Sequence, residues 1–411
     1  MKRKIVITGL GVVSPLGCDL AAFWSKITSG QSGIRKIQSF DASVFYSQIA
    51  GEVVDFQIDQ FIPKKEQRRM DPYCHYAIGA SKLAVADARL DMNVEDPTRV
   101  GVVVGSGVGG LRTIEAQYKV IAEKGADRAS PFLIPMMISN MAAGNIAIEL
   151  NMKGPNYGTV SACATSLHAI GDAMRVIERG DADVLLAGGA EASVCVLGFA
   201  GFCSLRALSA RNDEPHRASR PFDADRDGFV MSEGGAVVVL EELEHAKKRG
   251  AQIYCEAAGF GMTCDAYHMT APSEGGEGAT RAMKLAMADA GATPDDIDYI
   301  NAHGTSTSLN DKAETQAIKG ALGDRARKVM VSSTKSMTGH LLGAAGSLEA
   351  VVCALAIKHG VVPPTINYEK PDPACDLDYV PNVARQHKVR ACLNNSLGFG
   401  GHNGSLLFRA I

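Results

Sequence analysis

SACATSLHAIGDAMRVIERG, residues 161–180, decides the fold of this 411-residue chain. Its apolar positions Leu167, Ile170, Met174 and Ile177 recur at helical spacing, and Gly180 stops the run. The residues before it are strand-like, so the segment reads as strand end, tight turn and helix. The same alternation extends in both directions. Residues 99–104 read as a buried strand running into the glycine-rich GSGVGG (105–110), and 184–187 and 236–240 read as further strands. EELEHAKKRG (241–250) reads as a charged, exposed segment. Strands alternating with helices through most of a chain argue for an α/β fold.

Beyond residue 250 the pattern begins again. IVITGLGVVSPLG (5–17) has an echo in IYCEAAGFGMTCD (253–265): a strand, then glycines, then a loop. A helix over 277–290 is followed by the strand-like DYINAHG (298–304), and KVMVSSTKSMTGH (328–340) precedes a helix over 347–359. The last strand, 404–409, resembles 236–240. The spacing predicts an internal duplication, with one α/β half over 1–250 and a second over 251–411. Two such halves place a site at their junction, fed by loops from the carboxyl ends of strands.

Composition narrows the function. The chain is 46% apolar and 21% charged, with 42 basic and 45 acidic residues and a net charge of −3. A nucleic-acid partner is not expected, because that needs a concentrated basic surface. The longest apolar run, 350–357, is eight residues, against roughly 18 for a bilayer span, so no membrane partner is expected either. The amino terminus opens basic and then apolar, but its glycines and Pro15 break the stretch and read as strand and turn rather than signal peptide. A cytoplasmic enzyme fits these features. None of the ten cysteines forms a Cys-x-x-Cys pair, which argues against zinc ribbons and thioredoxin-type motifs.

Two motifs mislead. Gly105, Gly107 and Gly110 satisfy G-x-G-x-x-G after a strand, but Asp127, at the distance of a ribose-binding acid, lies in the loop-like EKGADRASP. The glycines read instead as a loop lining a pocket. DADRDG (223–228) begins like a calcium loop, yet its twelfth position is Gly234 and Glu233 falls one place early. It reads as a salt-bridged turn involving Arg220 and Arg226.

Cys163 is the first residue with chemistry. A cysteine at a helix start meets unsatisfied N–H groups and the positive end of the dipole, so its thiol pKa is expected to fall. Small neighbours Ala162 and Ala164 leave the sulfur accessible. A buried packing cysteine is the competing reading at this point. His303 in NAHGTSTSLNDKAE (301–314), and Lys335 and His340 in SSTKSMTGHLLGAAGSLEA (332–350), sit at comparable strand-to-helix junctions. No His-Glu-x-x-His spacing or nearby carboxylate pair suggests a metal. In NSLGFGGHNGS (395–405), glycines flank Phe399 and allow a mobile aromatic with an exposed N–H, or else a tight hairpin.

Taken together, ITGLGVVSPLG, PFDADRDGFV, NAHGTST, SSTKSMTGHLLGAAG and GFGGHNGS resemble the β-ketoacyl-[acyl-carrier-protein] synthases, most closely the bacterial type II elongating enzymes. The resemblance spans essentially the whole chain. It implies the thiolase fold, two pseudo-repeated α/β halves in five αβαβα layers, a homodimer, an acyl carrier protein as partner and no cofactor. It also assigns roles. Cys163 matches the family nucleophile, His303 and His340 its two histidines, Lys335 its lysine and Phe399 its gating phenylalanine. Thr270, Thr305 and Thr307 fall where the family contacts the phosphopantetheine arm, and Val108, Ile134 and Phe202 where it lines the acyl pocket. Two positions depart: Val108 is more often isoleucine, and His402 is commonly threonine.

The implied reaction is a decarboxylating Claisen condensation of an acyl group with malonyl-[acyl-carrier-protein] in fatty-acid elongation. Cys163 would carry the acyl group, its N–H and that of Phe399 would hold the oxyanion, and His303 and His340 the enolate. Lys335 would orient His340 electrostatically, with Glu349. A discrete polyketide ketosynthase has the same chemistry. A thiolase fits less well, since Cys392, the nearest candidate for a second cysteine, is not in a Cys-x-Gly loop.

Overall fold

The structure, a computed structural model, describes residues 3–411. Ten strands form one sheet. Those of the amino-terminal part are β1 (Ile5–Val13), β2 (Val100–Gly105), β3 (Asn156–Tyr157), β4 (Val184–Glu191) and β5 (Gly234–Glu242). Those of the carboxyl-terminal part are β6 (Cys255–Cys264), β7 (Tyr299–Asn301), β8 (Met330–Ser332), β9 (Ala391–Gly398) and β10 (His402–Arg409). Their order is β8-β7-β9-β10-β6-β1-β5-β4-β2-β3. At the centre β1 and β6 meet over only Val6↔Glu256 and Ile7↔Cys255. Outward from that seam, each side shows the first strand, then the last strand antiparallel to it, then strands ending in parallel pairs.

Helices cover both faces of each side. On the amino-terminal side α1 (Pro72–Ala88) and α2 (Met141–Leu150) pack outside β1, β5 and β2. α3 (Thr165–Arg179) packs on β4 and β2. On the other side α4 (Glu277–Ala290) covers β6 and β10, with α5 (Ser308–Leu322) beside it. α6 (Ala345–His359) packs on β9, on β5 and against α3. The paired α3 and α6 therefore lie between the two sets of strands, giving the five-layered thiolase arrangement that the resemblance implies. Residues 345–356 are all buried, as a central-layer helix requires. The stretch Leu342–His359 is long and apolar enough to cross a bilayer, but 83% of it is buried inside the fold.

The echo between 5–17 and 253–265 has a packing cause. A Cβ at Gly9 or Gly11 would lie 2.3 Å from the Ala84 carbonyl or 1.9 Å from that of Ala80 on α1. At Gly259 and Gly261 the corresponding distances are 2.2 Å to Ala286 and 2.1 Å to Ala282 on α4. Glycine on the strand and alanine on the helix let the layers approach, and the same pair of contacts occurs on both sides.

Both junction turns also match. Ala162–Ala164 and Leu342–Ala344 are single 3₁₀ turns that lead into α3 and α6. Ala162 and Leu342 are both left-handed, at φ 50° and 49°. Such a conformation is strained for residues with a Cβ and is kept only where surrounding structure enforces it.

The DADRDG turn is salt-bridged: Arg220 pairs with Asp223 at 3.0 Å and Arg226 with Asp372 at 2.7 Å. The reading of 241–250 as a charged, exposed segment is corrected at Glu241 and Ala246, both of which are fully buried. Glu241 is fully buried within β5, which continues through Glu242, and is held by Thr8, His245 and Arg249.

Candidate active site

A cavity of about 470 Å³ opens at the junction of the two sets of strands. Its floor carries Cys163, His303 and His340, whose ligand atoms lie within 4.8 Å of one another. The imidazole rings are 5.3 Å apart and nearly perpendicular, at 86°. Phe399, Thr270, Thr305, Thr307, Val108 and Phe202 also line the cavity. Nine of the eleven expected site residues are thus brought to one surface.

Backbone ties place each reactive group. Cys163 sits in the 3₁₀ turn between the left-handed Ala162 and α3. The His303 and Gly304 N–H groups donate to Glu314, at 2.8 and 2.7 Å. The His340 N–H donates to the Val230 carbonyl at 2.8 Å, and Phe229 packs edge-on against its ring at 5.4 Å. The Thr305 and Thr307 hydroxyls are 3.0 Å apart on the wall. Phe399 occupies the tip between β9 and β10, where Gly400 and Gly401 take φ of 87° and 75°. The tip is therefore a tight hairpin, and it meets the turn that carries Cys163. A Cβ at Gly398 would lie 2.7 Å from the Ser161 carbonyl, two residues before Cys163, so only glycine lets the tip come this close.

Charge at the site differs from the helix-start expectation. Burial pushes the Cys163 thiol up, to about 12, against the opposing pull of the Lys335 charge and of the Phe399 and Cys163 N–H groups. A lowered thiol pKa is therefore corrected: desolvation outweighs the turn's N–H groups and the ammonium. Burial and the Lys335 charge hold both imidazoles well below their usual value, so they are neutral at pH 7. Among the described residues, neither ring nitrogen of His340 nor Nδ1 of His303 has a protein partner.

Lys335 does not line the cavity. Its side chain is 2% exposed and forms an ion pair with Glu349, itself 3% exposed. Its influence on His340 is through charge rather than contact. Burial raises Glu349 and Glu314 alike, each to about 7, with Lys335 pulling both down.

Ile134 is the other expected residue outside the cavity. It lies on the short helix Leu133–Met137, 57% exposed, away from this chain's cavity lining. The resemblance puts it at the acyl pocket, and this chain alone does not bring it to the cavity wall. Sequence reasoning missed Glu314 and Glu191, which organise the site through backbone N–H groups, and Leu342 on the cavity wall. The left-handed Leu342, matching Ala162, was the one of these with a signal, in the repeated small-residue turns before α3 and α6.

A buried sulfur beneath two neutral imidazoles, at the centre of a thiolase fold, defines a condensing-enzyme site. Residues 2–246 match the β-ketoacyl synthase N-terminal domain and 254–369 the C-terminal domain. The chain belongs to the β-ketoacyl synthase family. It is 53% identical over 408 residues to the 3-oxoacyl-[acyl-carrier-protein] synthase 2 of Synechocystis sp., covering 99% of this chain and 98% of that one. The protein of the same name from Staphylococcus aureus (strain COL) is 50% identical over 407 residues, with the same coverage. Among solved structures, a β-ketoacyl synthase from Burkholderia phymatum superposes with a TM-score of 0.93 at 39% identity. A ketosynthase assembly solved with its type II PKS acyl-carrier protein gives 0.93 at 36% identity. Both superpositions cover 100% of each chain.

Proposed function

We propose that this chain condenses an acyl group with malonyl-[acyl-carrier-protein], releasing CO₂ and giving 3-oxoacyl-[acyl-carrier-protein], as an elongation step of fatty-acid biosynthesis. The observation that carries the reading is the cluster of Cys163, His303 and His340 within 4.8 Å at the base of one cavity. Identities of 50–53% over full length to synthases of this name support the fatty-acid assignment over the polyketide one, for which the ketosynthase solved with its type II PKS carrier protein stands at 36%.

Cys163 attacks the carrier thioester. The Cys163–acyl bond forms and the carrier's C–S bond breaks, while the thiol proton passes to the departing carrier sulfur. A thiol held at about 12 gives up that proton during attack, not before it, and a neutral imidazole 4.8 Å away or less is the available relay. The N–H groups of Cys163 and Phe399, which already point at the sulfur, hold the tetrahedral oxyanion.

Malonyl-carrier then enters, with its pantetheine arm along Thr270, Thr305 and Thr307. Loss of CO₂ leaves the electron pair as an enolate on the thioester oxygen, where N–H donors of His303 and His340 stabilise it. The carbanion attacks the acyl carbon, and the Cys163 sulfur leaves as thiolate and takes a proton from solvent. Because the imidazoles are neutral, each offers an N–H without a standing charge that would bind the malonyl carboxylate and resist its departure. These steps call on no cofactor.

The halves 1–250 and 251–411 are read as a duplication, supported by the mirrored strand order and the matched Gly–Ala contacts. The working assembly is proposed as a cytoplasmic homodimer. Exposed Phe132, Ile134 and Ile138 give one surface segment an apolar character that a second copy would cover. Sedimentation analysis tests the dimer, and a monomer at micromolar concentration refutes it. The function is tested by incubating the purified protein with malonyl-carrier and a panel of acyl-carriers. Formation of 3-oxoacyl-carrier and CO₂ from saturated straight-chain donors is expected. Turnover only of poly-oxo chains would favour the polyketide reading.

A further inference from the structure

A fully buried carboxylate ends β4. Glu191 has no accessible surface, and among the described residues no lysine, arginine or histidine forms an ion pair with it. Its charge is met by dipoles alone. Oε1 accepts from the Ser106 hydroxyl at 2.8 Å, the Val108 N–H at 3.3 Å and the Ser193 hydroxyl at 3.4 Å. Oε2 accepts from the Gly107 N–H at 2.9 Å and the Gly343 N–H at 3.0 Å. Ser106 in turn accepts from the Gly109 N–H at 2.9 Å. One side chain therefore fastens the glycine-rich loop after β2 to the turn before α6.

Two glycines exist to let it do so. A Cβ on Gly107 would sit 2.9 Å from Oε2, and one on Gly343 would sit 2.7 Å from it. The convergence of N–H and O–H donors requires an acceptor on both oxygens, which an ionised carboxylate provides and an amide does not. Burial lifts Glu191 to about 7 despite these bonds, so keeping a carboxylate here is costly compared with an apolar anchor.

The two segments it joins carry cavity walls. Val108 and Leu342 both line the cavity above Cys163, and Leu342 is the left-handed residue next to Gly343. We propose that Glu191 is a positioning residue that holds Val108 and Leu342 as walls of the acyl path and thereby sets which acyl chains the enzyme accepts. The proposal rests on the condensing function above and deepens it. Without the carboxylate, the Val108 and Gly343 N–H groups lose their shared partner, and the two walls are free to move independently.

The test is Glu191→Gln in the full chain, with Ser106→Ala as a milder variant that loosens the same loop should the first fold poorly. Acylation and condensation are measured with short-chain and long-chain acyl-carriers against a common malonyl-carrier, beside melting curves. The expected result is a selective loss. KM for long-chain carriers rises and their kcat/KM falls about tenfold, while short-chain values and the KM for malonyl-carrier change by less than about threefold. Ser106→Ala should shift the chain-length profile in the same direction by less. An equal fall for short and long chains, or a fall that only follows lost folded protein, overturns the positioning role. A wild-type protein that condenses neither carrier refutes the condensing function itself, and the positioning role with it.

Discussion

Replacing Lys335 by methionine should leave a deficit in stability that grows with pH. The lysine and Glu349 are 2% and 3% exposed and pair directly, and Glu349 Oε2 has no other protein partner. Removing one member of a buried pair costs about 3–5 kcal/mol, unless the survivor neutralises. Glu349 can neutralise, because burial already lifts it from 4.5 to about 7 with Lys335 pulling it down. Without that pull its folded value rises further. A carboxyl with a raised folded value contributes stability that is fully present below its unfolded value and is lost as pH rises through the folded one. In the native protein that loss is nearly complete just above pH 7. In Lys335→Met it continues, at about 1.4 kcal/mol per pH unit. Between pH 7 and 9 the gap to wild type should widen by up to about 2.3 kcal/mol, and near pH 5 it should nearly close. Thermal and urea unfolding of both proteins in matched buffers reads the gap. The double variant Lys335→Met/Glu349→Gln should lose most of the pH dependence and keep a smaller part from Glu314, which Lys335 also pulls down. A deficit of equal size at every pH would refute this account of the pair.

Mass spectrometry after mixing with an acyl-carrier should show the adduct on the Cys163 peptide, and an adduct confined to another cysteine would contradict the assignment; Cys163→Ala should abolish condensation, while Cys163→Gln should still decarboxylate malonyl-carrier. Alkylation of free Cys163 by iodoacetamide should climb steadily with pH and show no plateau near neutrality, since burial holds the thiol at about 12; a plateau below pH 8 would mean a preformed thiolate. His303→Ala and His340→Ala should keep some acyl transfer yet lose decarboxylation by roughly 10²–10³, and near-normal decarboxylation in both would remove their role. Val108→Phe should depress turnover of long acyl-carriers and spare short ones. Val108 is 44% exposed on the cavity side, so the melting temperature should fall by less than the about 1–3 kcal/mol of an overpacked core implies, and equal loss for all chain lengths would place the residue off the acyl path.

What the sequence revealed, and what it hid, follow from how each contact is made. Close backbone approach restricts residue type, so GLG (9–11) and GFG (259–261) disclosed the repeated strand-on-helix packing that the structure explains with Ala80, Ala84, Ala282 and Ala286. Reactive side chains at turns are also visible, which is how Cys163, His303 and His340 were found before their meeting point was. Glu191 and Glu314 left no such trace. Their partners are backbone N–H groups, which every residue but proline possesses, so nothing in the partner segments names the acid that holds them. The acidity of Cys163 was misjudged for a related reason: the helix start is local and readable, whereas the desolvation that outweighs it is the sum of chain segments far apart in sequence. Ile134 shows a third kind of limit. A family motif puts the residue at the acyl pocket, whereas the fold leaves it exposed on a short helix outside the cavity lining. The organising acids of this site are thus invisible for the same reason they are effective. By gripping main chain rather than side chains, they fix the loops that carry the reacting groups and leave the side chains of those loops free to face the substrate.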